Sequence, residues 1–177
     1  MKPWKEVDGW FSEEEGEALQ KLSVGKVCLE VGSYKGRSTC AMLEVAKHVH
    51  AVDYFRSNLN GQCQEETYTT LEDFKQNTEG GAVTVWIGSS LHACRNFEPE
   101  SLDLVFIDGL HTYEATRSDI LSWWERLKTG GIMCFHDYVT FEGVTRAVDE
   151  TFLELDGRAH SFVWGTKKVP FLKWEKQ

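Results

Sequence analysis

The chain has 177 residues, a hydrophobic content of 41% and a formal net charge of −9, which together indicate one globular domain with its own apolar core. The acidic balance disfavours nucleic acid and anionic membranes as partners, because those surfaces bind proteins through clustered lysine and arginine. The charged first residues do not resemble a signal peptide, and no uninterrupted apolar run is long enough to span a bilayer.

Short apolar strands alternate with helices along most of the chain. Ser12 followed by three glutamates predicts the first helix, because a capping hydroxyl and acids suit the positive end of a helix. Helices are predicted over residues 13–22, 38–46, 67–77, 91–96, 113–127 and 144–155. Strands are predicted over residues 26–31, 48–52, 82–87, 102–107 and 131–135, with a polar loop over 53–66. This alternation predicts a mostly parallel sheet with helices on both faces, wound as a doubly wound α/β fold.

The C-terminal part of the chain has a different pattern. Residues 160–164 and 169–174 alternate like strands, and a polar stretch over 165–168 separates them. We therefore expect an antiparallel hairpin at the end of the sheet. The predicted organisation is a single domain with an N-terminal helical segment (1–25), a ligand-binding core (26–140) and a C-terminal helix and hairpin (141–177).

Cysteine usage bears on the cellular compartment. The five cysteines are widely scattered, and none of them forms a C-x-x-C pair. A disulfide framework and a thiolate zinc site are therefore not expected. Such usage predicts a protein of the reducing cytoplasm.

The turn after the first strand, EVGSYKGRS over residues 30–38, is glycine-rich. A dinucleotide-binding turn places a second glycine where this chain has Tyr34, so that the pyrophosphate can approach the backbone. Glu30 would also repel a phosphate. A cationic ligand without phosphate fits better, and S-adenosylmethionine is such a ligand.

Two later strand ends extend this predicted donor site. Asp53 lies 21 residues after Gly32, a spacing that suits an acid accepting hydrogen bonds from ribose hydroxyls. Residues 88–90 end the third strand and would border an adenine. The expected donor-binding residues are Glu30, Gly32, Ser33, Tyr34, Gly36, Ser38, Asp53, Tyr54, Gly88, Ser89, Ser90 and Asp108.

Four motifs carry a resemblance to a known family. EVGSYKGRST (30–39) resembles motif I of class I S-adenosylmethionine-dependent methyltransferases. FIDGLHTY (106–113), LKTGG (127–131) and FHDY (135–138) resemble the branch that contains macrolide-sugar O-methyltransferases and cephalosporin-hydroxylase-like proteins and, more distantly, catechol O-methyltransferases. The resemblance covers residues 9–148. It implies a Rossmann-like, seven-stranded methyltransferase sheet, a bound methyl donor and, in many members, a divalent metal.

Two strands end in ionisable residues that should meet at one edge of the sheet, because ligands bind outside the carboxyl ends of parallel strands. The resemblance implies that Asp108 and Asp137 are metal ligands and that His111 is the general base. His136 replaces a second carboxylate of the macrolide-sugar enzymes and is either a third metal ligand or a packed histidine. Imidazole suits softer metals than magnesium does, so the expected ion is Mg²⁺ or a softer metal.

The leading functional hypothesis is O-methylation of a small-molecule hydroxyl with help from a divalent metal. A non-catalytic protein that binds S-adenosylmethionine is the alternative, and a nicotinamide-dependent oxidoreductase is a further one that the turn disfavours. The aromatic N-terminus either shields the cofactor or forms a contact between subunits of a homodimer. The loop over residues 54–63 is expected to close over the donor or acceptor.

Overall fold

The computed structural model describes residues 1–57, 68–151 and 155–168. A mixed sheet of seven strands forms its centre, in the order β5-β2-β1-β6-β7-β9-β8, and β3 and β4 form a separate two-stranded ribbon. The strands are β1 (Val27–Val31), β2 (His48–Asp53), β3 (Arg56–Ser57), β4 (Tyr68–Thr69), β5 (Val83–Ile87), β6 (Leu102–Ile107), β7 (Leu127–Phe135), β8 (Gly157–Ala159) and β9 (Phe162–Thr166). β5, β2, β1, β6 and β7 are parallel, and β9 and β8 are antiparallel additions.

Helices cover both faces of the sheet. They are α1 (Glu13–Ser23), α2 (Arg37–Leu43), α3 (Leu71–Thr78), α4 (Ser90–Cys94), α5 (Tyr113–Trp124) and α6 (Glu142–Thr151), preceded by a 3₁₀ turn over Trp4–Glu6. Apolar residues of α4, α5 and α6 pack on one face, and those of α1 and α2 pack on the other. The predicted doubly wound, Rossmann-like α/β fold is confirmed. Within the described residues, no helix is long and apolar enough to cross a membrane.

The central strand β6 shows why its sequence is apolar without interruption. Leu104 and Phe106 contribute to the core under α1 and α2, whereas Val105 and Ile107 contribute to the core under α5 and α6. A parallel strand covered on both faces needs apolar side chains at successive positions, not at alternate ones. The chain turns polar at Asp108, where the strand leaves the core.

The C-terminal hairpin lies earlier in the chain than the sequence predicted. β8 and β9 join at a turn that includes His160, whose φ is 54°, and Gly165 pairs with Met133 inside β9 instead of forming the turn. Gly157 explains the position of β8, because a Cβ there would lie 2.2 Å from the Trp164 ring. The stretch 169–174, expected to be the second strand, lies outside the described residues.

Other boundaries shift by a few residues. The predicted helix over 67–77 begins only at Leu71, because Tyr68–Thr69 pairs with Arg56–Ser57. β7 begins at Leu127, four residues before the predicted start, where Leu127 pairs with Leu102 ahead of a register shift. Residues 58–63 of the loop expected to close over the site lie outside the described residues. The described cysteines, Cys28, Cys40, Cys94 and Cys134, are buried free thiols.

Candidate active site

The glycine-rich turn after β1 lies directly against the end of β6. Gly32 has a φ of 88°, and a Cβ there would lie only 2.0 Å from the carbonyl oxygen of Asp108. The Gly32 N–H donates to the Val52 carbonyl (2.9 Å), and the Asp108 N–H donates to the Val31 carbonyl (2.8 Å). Only glycine fits such a conformation and approach. The ends of β1, β2 and β6 therefore form one connected edge.

Glu30 lies beneath this turn, with no exposed surface. Its two carboxylate oxygens accept hydrogen bonds from the hydroxyls of Ser38 and Thr39 at the start of α2. Burial raises the pKa of Glu30 to about 7, although the hydroxyls favour its charged form. Ser33, also buried, lies in the turn above it. In the structure Glu30 therefore connects the turn to α2. A direct contact between Glu30 and the donor stays a prediction.

Asp53, at the end of β2, links two neighbouring segments of the edge. Its Oδ2 accepts the Tyr34 N–H at 2.8 Å, and its Oδ1 accepts the Phe55 N–H at 2.7 Å. Each carboxylate oxygen has a second lone pair, which leaves capacity for the ribose hydroxyls that the sequence predicted as partners. Tyr54, the next residue, is exposed beside it.

The turn at Gly88–Ser90 lies next to Asp53, because the Gly88 N–H donates to the Asp53 carbonyl at 2.9 Å. Ser89 precedes α4 and Ser90 begins it. The Ser90 hydroxyl accepts the Trp123 Nε1–H at 2.7 Å. The predicted donor residues, from Gly32 and Gly36 to Ser90, are therefore brought together along the ends of β1, β2, β5 and β6.

Three ionisable side chains meet where β6 and β7 end. His111 Nε2 lies 3.0 Å from Asp137 Oδ2 and 3.7 Å from Asp108 Oδ1. Neither contact has hydrogen-bond geometry, so this buried nitrogen has no hydrogen-bond partner among the described residues. The His111 ring stacks on Phe141 with centroids 4.5 Å apart. Asp137 adopts a left-handed φ of 60°, a strained conformation of the kind that clusters at functional sites.

His136 lies beside this group of three. Its Nδ1 is 3.4 Å from Asp108 Oδ1 and 3.4 Å from Asp137 Oδ2, and its Nε2 is 3.4 Å from Glu15 Oε1. The ring is buried and also contacts the Ser161 hydroxyl at 3.4 Å. With carboxylates facing both nitrogens, His136 is placed to donate from both of them, which leaves its role as a metal ligand a prediction.

Glu15 is a member of this site that the sequence did not reveal. Its Oε2 accepts the N–H (2.9 Å) and hydroxyl (2.7 Å) of Ser12, as expected of a capping box. Its Oε1 accepts the N–H (3.1 Å) and hydroxyl (2.7 Å) of Ser161 and faces His136. The only signal in the sequence was the capping pattern, which does not indicate that this carboxylate is buried behind the site.

The mixture of acids and imidazoles shifts the pKa values of His111, His136, Asp137 and Glu15. Asp108, and then Asp137, raise the pKa of His111 to about 9. Although burial opposes a charged ring, Asp108, Asp137 and Glu15 raise the pKa of His136 well above its usual range. Burial acts against ionisation of Asp137 and Glu15 as well, but their histidine partners hold both pKa values well below the usual range.

The three ionisable groups fit a divalent ion. One ligand atom each from Asp108, His111 and Asp137 lies within 4.8 Å of the others. Nε2 of His111 faces the two carboxylates and has no hydrogen-bond partner among the described residues, so a cation held by Asp108 and Asp137 would lie beside this nitrogen. Two carboxylates alone suit magnesium or manganese, whereas an imidazole as a further ligand would favour iron or zinc.

The N-terminal segment crosses the glycine turn and is held there by Arg37, whose role the sequence did not indicate. The Arg37 guanidinium donates to the carbonyls of Phe11 (2.6 Å), Val7 (2.6 Å) and Lys5 (3.2 Å). Trp10, which is 70% exposed, packs against Tyr34 with centroids 5.0 Å apart. This placement is compatible with the predicted shielding of a cofactor.

Comparisons with known proteins agree with this architecture. A family profile described as a methyltransferase domain matches residues 29–138. The O-methyltransferase NovP has a similar structure, with a TM-score of 0.69, 16% identity and coverage of 88% of this chain and 80% of that one. The cofactor-bound protein Rv0187 from MTB gives a TM-score of 0.69 at 18% identity, covering 92% of this chain and 84% of that one. The SAM-dependent O-methyltransferase from Thermotoga maritima gives a TM-score of 0.62 at 14% identity, covering 90% of this chain and 67% of that one.

Proposed function

Because this chain belongs to the class I S-adenosylmethionine-dependent methyltransferases, we propose that it methylates a hydroxyl group of a small molecule. The observation that carries this proposal is the cluster of Asp108, His111 and Asp137 beside the donor turn. Transfer to oxygen requires that the hydroxyl lose its proton while it is aligned with the donor methyl. An imidazole between two acids, next to the turn, is suited to both tasks.

The proposed reaction assigns one role to each group. The hydroxyl oxygen attacks the methyl carbon, the carbon–sulfur bond breaks, and its electron pair stays on sulfur to give neutral S-adenosylhomocysteine. His111 accepts the hydroxyl proton at Nε2 as a neutral ring, a form that is favoured once the charges of Asp108 and Asp137, which raise its pKa, are neutralised. Asp108 and Asp137 would hold the divalent ion, which when bound lowers the pKa of the hydroxyl and orients it.

The donor is proposed to lie along the strand ends described above. Its methionine portion follows the turn at Gly32, where the backbone approaches closely. Asp53 accepts hydrogen bonds from the ribose hydroxyls, and Gly88–Ser90 borders the adenine. This order places the reactive methyl near β6, within reach of the acceptor site between Asp108 and Asp137.

A turnover screen tests the proposal. The protein is incubated with S-adenosylmethionine, a divalent ion and a panel of sugars, phenols and other hydroxyl compounds, and S-adenosylhomocysteine is measured. Methyl transfer to an oxygen supports the proposal, and its loss in excess chelator supports the metal. Donor binding without any S-adenosylhomocysteine would instead favour a non-catalytic binding protein, whereas binding of NADH in preference to S-adenosylmethionine would favour an oxidoreductase.

A further inference from the structure

Asp119 on α5 is a buried carboxyl to which the proposed reaction gives no role. The residue is only 8% exposed. Buried carboxylates ordinarily pair with a cation or accept several hydrogen bonds. Within the described residues Asp119 has no cationic partner, and the Ser90 hydroxyl is its polar neighbour. Burial raises its pKa to about 6, as expected of a carboxyl that lacks sufficient donors.

The neighbours of Asp119 place it between two turns of the candidate site. Its Oδ2 lies 3.8 Å from the position that a Cβ would take on Gly109, so the carboxyl lies under the turn that follows β6. Ser90 begins α4, directly after the turn that follows β5. Because the Ser90 hydroxyl accepts from Trp123 Nε1 at 2.7 Å, its own proton is left for Asp119. Such a bond would use one carboxylate lone pair and leave the others without a donor from the described part of the chain.

The order of the sheet indicates which part of the donor comes close to this carboxyl. From one side, the strands run β5, β2, β1, β6 and β7. The methyl group must lie near Asp108 and Asp137 on β6 and β7, and the ribose near Asp53 on β2. The purine, at the other end of the molecule, is thereby directed toward the turn after β5, where Ser89 and Ser90 lie. Asp119 adjoins that turn through Ser90 and lies under the turn after β6 at Gly109.

We propose that Asp119 is the residue that selects the donor's base, its carboxylate accepting a hydrogen bond from the exocyclic amine of adenine. This inference rests on the proposed placement of the donor and adds a specificity-determining residue to it. An ionised carboxylate offers acceptors only. It therefore accepts the amine of adenine and repels the carbonyl oxygen that hypoxanthine carries at the same position.

The experiment compares two ligands that differ only in this group. S-Adenosylhomocysteine and S-inosylhomocysteine are titrated by calorimetry at pH 8 into the wild-type chain of 177 residues and into its Asp119→Asn and Glu114→Gln variants. Glu114 is an exposed acid on the same helix, so its variant controls for the loss of one negative charge. Thermal unfolding of each variant reports separately whether the fold is intact.

We expect the wild-type protein and Glu114→Gln to bind the adenine ligand about ten- to a hundredfold more tightly than the hypoxanthine ligand. Asparagine offers both a donor and an acceptor, so Asp119→Asn should reduce or reverse that preference. Equal affinity of the wild-type protein for the two ligands overturns the proposal, and this arm needs no variant. An equal loss of both affinities in Asp119→Asn also overturns it, because it would show that Asp119 only supports the turn at Ser90. Failure of the wild-type protein to bind either ligand would refute the proposed function, and the assignment of Asp119 with it.

Discussion

Gly32 and Asp108 meet backbone to backbone, with the space for a Cβ on Gly32 filled by the carbonyl oxygen of Asp108 at 2.0 Å. The turn that would hold the donor and the strand end that carries the acids are therefore in direct contact. A displacement of either one changes the distance between the donor methyl and the acceptor site. Methyl transfer depends on that distance, since reacting atoms must lie within about 3–3.5 Å in a reactive alignment.

Gly32→Ala tests this contact against a matched glycine. Gly25 also has a positive φ, 68°, but a Cβ there would meet nothing within 4 Å. Gly25→Ala should cost about 1–2 kcal/mol of unfolding free energy, the penalty of the left-handed conformation alone. Gly32→Ala should cost clearly more, because the backbone of β6 must also move, and donor binding should be lost. Urea unfolding measures both variants, and equal losses would contradict the close approach.

Asp53→Ala should weaken binding of S-adenosylmethionine by about 1–3 kcal/mol, because the ribose hydroxyls lose their acceptor and two backbone N–H groups lose theirs. Asp103→Ala is the control, since Asp103 also accepts a backbone N–H, from Val27 at 2.9 Å, but lies at the opposite end of β6. Calorimetry gives both affinities. Unchanged affinity in Asp53→Ala would contradict the placement of the donor at the end of β2.

His111→Ala should lower kcat by about 10²–10⁴-fold and leave donor affinity nearly intact, because the base acts on the acceptor and not on the donor. Excess chelator or Asp137→Ala should abolish turnover without unfolding the sheet. His160→Asn is a suitable control, since asparagine tolerates the positive φ of that exposed turn. A confirmed acceptor that is methylated normally in chelator, and equally well by His111→Ala, would refute this assignment of the site.

Glu30→Gln tests the buried carboxyl under the turn through the pH dependence of stability. Burial raises the pKa of Glu30 from 4.5 to about 7. The folded state thus favours the protonated form of Glu30. The stability that this preference provides is fully present below pH 4.5 and is lost as the pH rises through about 7. Between pH 5 and pH 8 the wild-type protein should lose about 2–3 kcal/mol of unfolding free energy relative to Glu30→Gln.

Urea unfolding at four pH values measures that difference. Glu79→Gln removes an exposed acid, so the unfolding free energy of this variant should change with pH as that of the wild-type protein does. If the difference in unfolding free energy between the wild-type protein and Glu30→Gln did not change with pH, Glu30 would be ionised while it accepts hydrogen bonds from the Ser38 and Thr39 hydroxyls.

Arg37→Ala should release the N-terminal segment from the glycine turn. Hydrogen exchange over residues 5–11 should accelerate about tenfold or more, because three carbonyls lose their donor. Arg37→Lys should give most of the same effect, since an ammonium group does not reproduce the planar spread of donors. Arg146→Ala, which removes an arginine paired on the surface of α6 with Glu150, should leave this exchange unchanged.

The sequence predicted best what depends on local pattern. The continuous apolar run of β6 identified a strand covered on both sides, and its sharp polar end located Asp108. The predicted meeting of Asp108, His111 and Asp137 followed from parallel strands sharing one edge. The hairpin was misplaced because its register depends on the packing of Gly157 on Trp164 and of β9 on β7, contacts that alternation alone does not reveal.

The roles of Glu15 and Arg37 could not be predicted for the same physical reason. A glutamate three residues after a capping serine is explained completely by the helix start, and nothing local indicates a second partner. Arg37 likewise reads as the first residue of a helix. Their partners, Ser161 and the carbonyls of residues 5–11, come close only after the sheet has assembled.

The contact between Glu15 and Ser161 joins residues that are 146 positions apart. Closing so long a loop costs conformational entropy before any contact repays it, so this link should be among the last to form during folding. On the ribosome, α1 and the glycine turn emerge long before the hairpin that completes the surroundings of His136. The nascent chain should therefore form its glycine turn first, and the finished surroundings of Asp108 and Asp137 only after synthesis has passed Ser161.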